Sequence, residues 1–376
     1  MRDVYLSADN IITPLGFTTE ENAGNMLEGR SGIRQVEDNE LSPAPFHASM
    51  LDKKILYEKF SSFEDPGKYT RFEQLAICSI KDAISGTDLD LSGSRTIFIL
   101  STTKGNIDLL EADPGDERLF LWNTARILGR YFNFKNEPLV ISDACISGIQ
   151  AVITGVRLIK AGLYDHAVIN GTDIISEFIV SGFNSFKSLS NGPCRPFDKT
   201  RDGLSLGEGS GTIILTVDHD TSGKCRIIAG DGYSTNDANH ISGPSRTAEG
   251  LFLAISRVMK RSPSAIEFIS AHGTATPYND EMESIAITRA GLQDVPVNSF
   301  KGYWGHTLGA AGVIESIMGK YSMRNGILFN SKGFSEAGVS NPLNIISSPE
   351  RREINNCLKI ASGFGGCNAA ILYQKK

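Results

Sequence analysis

Short runs of apolar, mostly β-branched residues limit what this chain can fold into: Thr96-Ile97-Phe98-Ile99-Leu100, Leu139-Val140-Ile141, Ala167-Val168-Ile169, Thr212-Ile213-Ile214-Leu215, Ile266-Glu267-Phe268-Ile269 and Leu358-Lys359-Ile360-Ala361. A strand with one wet face alternates polar and apolar residues, whereas these are apolar almost throughout, as a sheet covered by helices on both faces requires. The expected class is therefore α/β with substantial parallel content. The clearest helix follows Cys145: Ile149, Val152, Ile153, Val156 and Ile159 recur at spacings of three and four, and Gly148 and Gly155 permit a close neighbour. A strand thus delivers Cys145 to a helix N-terminus. A second helix is expected from Asn279, where Asp280, Glu281 and Glu283 suit the positive end of its dipole, and a third after Gly305-His306. Residues Asp38 to Thr70, rich in Pro, Ser, Asp and Lys, read as an irregular surface excursion.

The 376 residues carry 37 Lys+Arg against 43 Asp+Glu, a formal charge of −6, which argues against a broad nucleic-acid-binding face but leaves room for a local basic patch. No run approaches the ~20 apolar residues that span a bilayer, so membrane insertion is not expected. Residues 1–16 mix Arg2, Asp3, Asp9 and Asn10 among apolar residues, unlike a signal peptide. The cysteines (Cys78, Cys145, Cys194, Cys225, Cys357 and Cys367) are scattered without a CxxC pair, which suggests reduced thiols and a cytoplasmic location.

Glycine-rich stretches hold the residues that could carry chemistry: Asp143-Ala144-Cys145-Ile146-Ser147-Gly148, His272-Gly273-Thr274-Ala275-Thr276, Lys301-Gly302-Tyr303-Trp304-Gly305-His306 and Gly363-Phe364-Gly365-Gly366. At a helix N-terminus Cys145 would meet unpaired N–H groups that favour a nucleophilic thiolate; a buried structural cysteine is the alternative. His272 and His306 have no metal-ligand spacing around them, so no metal is expected, and two neutral imidazoles beside a thiol would instead donate to a thioester oxygen as charge develops there. Lys301 could supply a positive field or be an ordinary surface lysine. The Gly363–Gly366 turn allows a backbone N–H to approach an oxyanion, with Phe364 as a flap, or is simply a tight turn before the last strand.

Taken in order, these stretches resemble the β-ketoacyl-acyl carrier protein synthases of the thiolase superfamily, especially the elongating Cys-His-His enzymes. The resemblance extends to Thr13-Pro14-Leu15-Gly16, to Arg195-Pro196-Phe197-Asp198 through Arg201-Asp202-Gly203 and Gly207-Glu208-Gly209, and to Ser362 through Asn368, and so covers the whole chain. It implies a thiolase-like fold of two similar halves in five layers, α-β-α-β-α, here divided into 1–225 with the nucleophile and 226–376 with both histidines and the Gly-Phe-Gly-Gly turn. It implies a decarboxylative Claisen condensation of malonyl-acyl carrier protein with an acyl-Cys145 intermediate, in fatty acid or specialised polyketide or polyene synthesis. Residue by residue, Cys145 matches the nucleophile, and His272 and His306 match the malonyl-activating pair. The N–H groups of Cys145 and Phe364 match the oxyanion hole. Lys301 and Glu283 match a buried ion pair, expected in contact, with Asp280 supporting it.

The resemblance also implies an acyl carrier protein as partner, met by a local basic rim at Lys68, Arg71 and Arg201, although Arg201 could equally brace Asp198 or Asp202. It implies a homodimer, or a heterodimer with a chain-length-factor-like subunit, and no cofactor of the protein's own, the substrates riding on the carrier's phosphopantetheine arm. Ala275 keeps a small residue where the family has Gly or Ser. Ser362 replaces a common aromatic residue, and the stretch before Cys145 is shorter than usual, so pocket shape and chain length stay open. A thiolase acting on acyl-CoA is the nearest alternative, opposed by His272, where thiolases carry an asparagine-centred motif. A non-catalytic chain-length factor is opposed by the retained Cys145, His272, His306 and Lys301.

Overall fold

Nearly continuous apolar strands need cover on both faces, and the computed structural model, which describes residues 2–217, 226–262 and 264–376, shows how they obtain it. Cys225 lies outside the described residues, as does the division expected at that point; the other cysteines are free and buried. The first half carries β1 (Tyr5–Ile12), β2 (Thr96–Ser101), β3 (Leu139–Ile141), β4 (His166–Asp173) and β5 (Gly209–Thr216). The second carries β6 (Ile227–Asn236), β7 (Phe268–Ser270), β8 (Val297–Asn298), β9 (Asn356–Gly363) and β10 (Cys367–Lys375). Their spatial order is β3-β2-β4-β5-β1 in one half and β8-β7-β9-β10-β6 in the other, the same arrangement twice. The two sets meet where Tyr5 of β1 lies opposite Ile228 of β6.

The helices repeat as well. In the first half α1 (Arg71–Ile84) follows β1, α2 (Leu121–Tyr131) follows β2 and α3 (Ser147–Lys160) follows β3; in the second, α4 (Glu249–Arg261), α5 (Pro277–Arg289) and α6 (Ala311–Asn325) follow β6, β7 and β8. Helix α1 starts at a capping box in which Thr70 and Glu73 each satisfy the other's backbone N–H. Helices α3 and α6 touch each other and strands of both sets, α1 covers the first sheet and α4 the second, which gives five layers. The central layer is apolar: Ile149, Val152, Ile153 and Val156 of α3 meet Val313, Ile314, Ile317 and Met318 of α6 in one buried cluster. Full burial stabilises each such side chain by roughly 1.5–3 kcal/mol.

The crossing of α3 and α6 fixes the site. A Cβ added to Gly148 would lie 2.6 Å from the backbone nitrogen of Val313, and one added to Gly312 would lie 2.4 Å from that of Ile149. Only glycine allows this approach, which draws together the N-terminal ends of the two central helices.

The sheet is more antiparallel than the sequence suggests. Strands β2, β3 and β4 pair in parallel, as do β7, β8 and β9, but β5 is antiparallel to β4 and β1, and β10 to β9 and β6. Both layouts bury strands on two faces, so apolar runs alone do not reveal direction. Residues 38–70 are not irregular: Phe46–Ser49 forms a strand beside Ile33–Val36, and Lys53–Ser61 is a helix burying Leu56 and Phe60. Helix α5 starts at Pro277 rather than Asn279, since proline lacks only a donor that the first turn cannot use.

Candidate active site

Strand β3 leads through Asp143 and Ala144 to Cys145, which immediately precedes the turn into α3. Ala144 takes a left-handed φ of 43°. Ser147 knits the bend: its hydroxyl donates to the Ala144 carbonyl (2.6 Å) and accepts from the Asp143 N–H (2.8 Å). Cys145 is 7% exposed. Burial pushes its thiol up to about 11, outweighing the pull of the Lys301 ammonium and of the Phe364 N–H. This corrects the expectation of a resting thiolate. The free protein holds a thiol, and its proton must leave as attack proceeds.

His272 follows β7, and its peptide is gripped by one carboxylate: Glu283 accepts the N–H groups of His272 (2.7 Å) and Gly273 (2.6 Å). Its Nδ1 faces the Lys301 ammonium at 3.2 Å. His306 is held by its backbone, its N–H donating to Ser205 and its carbonyl accepting from Gly207. Gly305, with φ of 70°, lets the chain pass the Leu206 carbonyl, which a Cβ there would strike at 2.3 Å. His306 Nδ1 accepts the Leu308 N–H at 3.2 Å. A backbone N–H can only donate, and so can an ammonium, so both rings carry their proton on Nε2. That of His306 is buried without a protein partner. Burial first, then the Lys301 charge, keeps both histidines well below their usual pKa, and both are neutral.

Ligating atoms of Cys145, His272 and His306 all lie within 4.8 Å of one another, with the imidazole planes at 84°. Lys301 stands behind them and donates to the His272 carbonyl at 2.6 Å. Its carboxylate partner is Glu315 of α6, at 2.6 Å, and not Glu283 as expected. Glu283 is otherwise engaged, its oxygens taken by the two peptide N–H groups and by Asn279 at 2.8 Å. Glu315 and Lys359, which holds the other Glu315 oxygen at 2.7 Å, were missed in the sequence. The available signal was a lone acid in α6 and a lone lysine in β9, each within a mostly apolar run. Asp280 accepts from the N–H groups of Phe197 (2.7 Å) and Ala275 (3.2 Å), two residues held at positive φ. Burial raises Asp280 to about 6 and Glu283 to about 7.

The Gly363–Gly366 turn joins β9 to β10, and a Cβ on Gly363 would sit 3.0 Å from the Cys145 nitrogen. The Phe364 ring packs on Phe183 (5.6 Å) and Phe186 (5.1 Å). Cys145, both histidines, Phe364, Thr274 and Thr276 line a cavity of about 410 Å³; the two threonines, which the sequence reading did not single out, have hydroxyls 2.8 Å apart. Of the cations expected on a rim, Lys68 is 62% exposed and pairs with Glu64 at 3.4 Å. Arg71 requires correction, whereas Arg201 takes the bracing role on Asp198 that the sequence left open, through the Asp198 carbonyl. The Arg71 side chain is 18% exposed and grips buried Glu208 through two nitrogens. Arg201 is 8% exposed and donates to the Asp198, Gly338 and Pro277 carbonyls. Both brace the protein's own chain.

Two family models match: the β-ketoacyl synthase N-terminal domain over residues 1–220 and the β-ketoacyl synthase C-terminal domain over residues 226–335. The chain is 27% identical to a 3-oxoacyl-[acyl-carrier-protein] synthase 2 of Vibrio harveyi, covering 100% of this chain and 99% of that one. It is also 27% identical to a mitochondrial 3-oxoacyl-[acyl-carrier-protein] synthase of Arabidopsis thaliana, covering 99% and 93%. Among solved structures, a ketosynthase in complex with its chain length factor from Xenorhabdus doucetiae superposes with a TM-score of 0.85 at 26% identity, covering 100% of this chain and 98% of that one.

Proposed function

The chain belongs to the β-ketoacyl synthase family, and on that premise we propose that it joins an acyl group to a malonyl unit, both carried on the phosphopantetheine arm of acyl carrier protein. The observation that carries this reading is the convergence of one thiol and two neutral imidazoles within 4.8 Å. The Cys145 sulfur attacks the acyl thioester, the tetrahedral oxyanion is held by the N–H groups of Cys145 and Phe364, and the pantetheine sulfur leaves with the proton. The malonyl thioester oxygen then accepts from Nε2–H of His272 and His306. Carbon dioxide departs, the enolate carbon attacks the acyl-Cys145 carbonyl, and the C–S bond breaks to return the thiolate, which takes a proton from water. One oxyanion donor is typically worth ~3 kcal/mol. Lys301, Glu283 and Asp280 touch no substrate and orient the residues that do.

The functional division falls at 225/226, a boundary supported by the repeated strand order. The partner is acyl carrier protein, with Lys68 the remaining candidate on the rim. The assembly is a homodimer: β3 ends the sheet order, and exposed Leu139, Phe120 and Trp122 are apolar side chains of a kind that a second thiolase-like chain would cover. No described helix is long and apolar enough to cross a membrane. The free cysteines support a reducing compartment such as the cytoplasm.

Intact-mass spectrometry after mixing with acyl-carrier-protein thioesters, then with malonyl-carrier-protein, tests this. An adduct on Cys145 that disappears as β-ketoacyl product forms is expected. No adduct from any carrier-bound chain in the protein alone, but one in a complex with a second homologous subunit, would replace the homodimer by a heterodimer. Labelling by acyl-CoA alone would replace the synthase by a thiolase.

A further inference from the structure

Strand β9 carries one charged residue, Lys359, between apolar neighbours, and its side chain is 0% exposed. Its ammonium donates to the carbonyls of Ser270 (3.1 Å), Ala271 (3.1 Å) and Ile360 (2.8 Å). It also pairs with one oxygen of Glu315 at 2.7 Å, while the other Glu315 oxygen holds Lys301 at 2.6 Å. One carboxylate is thus shared by two ammonium groups, of which Lys301 faces His272 Nδ1 at 3.2 Å and Lys359 holds the two carbonyls that precede His272. A methionine or leucine would fill such a slot in a strand without the desolvation that a buried ammonium suffers, so packing alone does not account for the lysine.

We propose that Lys359 is a positioning residue for the condensation: it supplies the second positive charge beneath His272 and His306 and fixes the end of the strand that carries His272. The proposal rests on the condensing-enzyme reading above. Ser270 and Ala271 immediately precede His272, so a single ammonium anchors the backbone from which the ring projects. With both rings neutral, the nearby charges are Lys301, Lys359, Glu315 and Glu283. The first three sum to one positive charge, and Glu283, which burial raises to about 7, is about half protonated at neutral pH and offsets it only in part, so a partial positive charge remains where the enolate oxygen becomes negative. The acyl-transfer oxyanion forms elsewhere, against the N–H groups of Cys145 and Phe364. Lys359 should therefore matter for one half-reaction and hardly for the other.

The test uses the full chain, wild type beside Lys359→Met and Lys359→Gln, with thermal melting to establish that each variant is folded. Acylation of Cys145 is timed by intact mass from an acyl-carrier-protein, and carbon dioxide release is timed from malonyl-carrier-protein. The expected result is a loss of ~10-fold or more in kcat for decarboxylation at little-changed KM, with acylation within about threefold of wild type. If Lys359→Met does not fold, Lys359→Gln is judged by the same split. Equal losses in both half-reactions, or no loss in decarboxylation, would overturn the proposal. A wild-type protein that takes up no acyl group, either alone or in complex with a second homologous subunit, would instead overturn the condensing reading, and this inference with it.

Discussion

The two halves share strand order and helix placement yet use equivalent positions differently. In the first, the segment after β3 places Cys145 just before α3; in the second, the segment after β8 places His306 just ahead of α6. After β7 the chain presents His272, whereas after β2 it presents Thr102 and Thr103, which clamp the buried carboxylate of Asp173 at the end of β4. Asp173 also takes the Gly309 N–H at 2.7 Å, so that loop of the first half holds the second half in place. At the position matching Asp173, β9 runs into the Gly363 turn. Topology decides where loops gather, and residue identity decides whether a loop does chemistry or joins the halves.

The comparison breaks most directly at the nucleophile. Cys145→Ala should remove the acyl adduct altogether, a fall of ~10³-fold or more in condensation, while the second half still releases carbon dioxide from malonyl-carrier-protein. Loss of both steps in a folded variant would mean that the halves do not divide the work. The converse substitution, His306→Ala, removes a donor to the developing enolate and should slow decarboxylation by ~10²–10³-fold with acyl-Cys145 still forming, as single-turnover mass spectrometry would reveal.

A pH series sharpens the contrast between a buried thiol and an exposed one. With Cys145 raised to about 11, its alkylation by iodoacetamide should keep climbing ~10-fold per pH unit past 8.5, where an ordinary thiol levels off. The sign follows from the acid: a raised pKa keeps the neutral form at pH 7, and thiolate appears only as pH rises. A plateau near 8.5 would show that the helix N-terminus outweighs burial.

The joint between halves is tested by Gly312→Ala, whose methyl group would meet the Ile149 backbone and should cost about 1–3 kcal/mol of stability by denaturant melts. Unchanged stability would mean that the crossing can open. The smallest effect is expected at Lys68→Ala, a rise in carrier-protein KM of about two- to threefold that shrinks with added salt.

Much of the fold was legible, because a doubly covered strand and a buried helix each leave a periodic mark; all of the quoted runs lie at least in part within the sheet. The duplication was not, since it resides in spatial order rather than in residue identity. Cys145, His272 and His306 stood out through their glycine turns and the family likeness. The pairing among their supports did not: Lys301 and Lys359 come to share Glu315 only after two sheets have enclosed α6, and Glu283 looked equally able to take that role. Arg71 read as surface charge because nothing local announces that Glu208 will claim it, and for Arg201 the sequence offered Asp198 nearby but not the distant Gly338 and Pro277 carbonyls.

The contact between Gly148 and Gly312 gives the molecule a datum, in the machinist's sense. Since backbone meets backbone there, no side-chain repacking between the two helices can change the separation of the backbones that carry Cys145 and His306. New acyl lengths would then have to be accommodated at the cavity wall, by exchanging side chains such as Phe183, Phe186 or Tyr278. Reactive geometry and substrate range can in this way be adjusted by separate sets of substitutions.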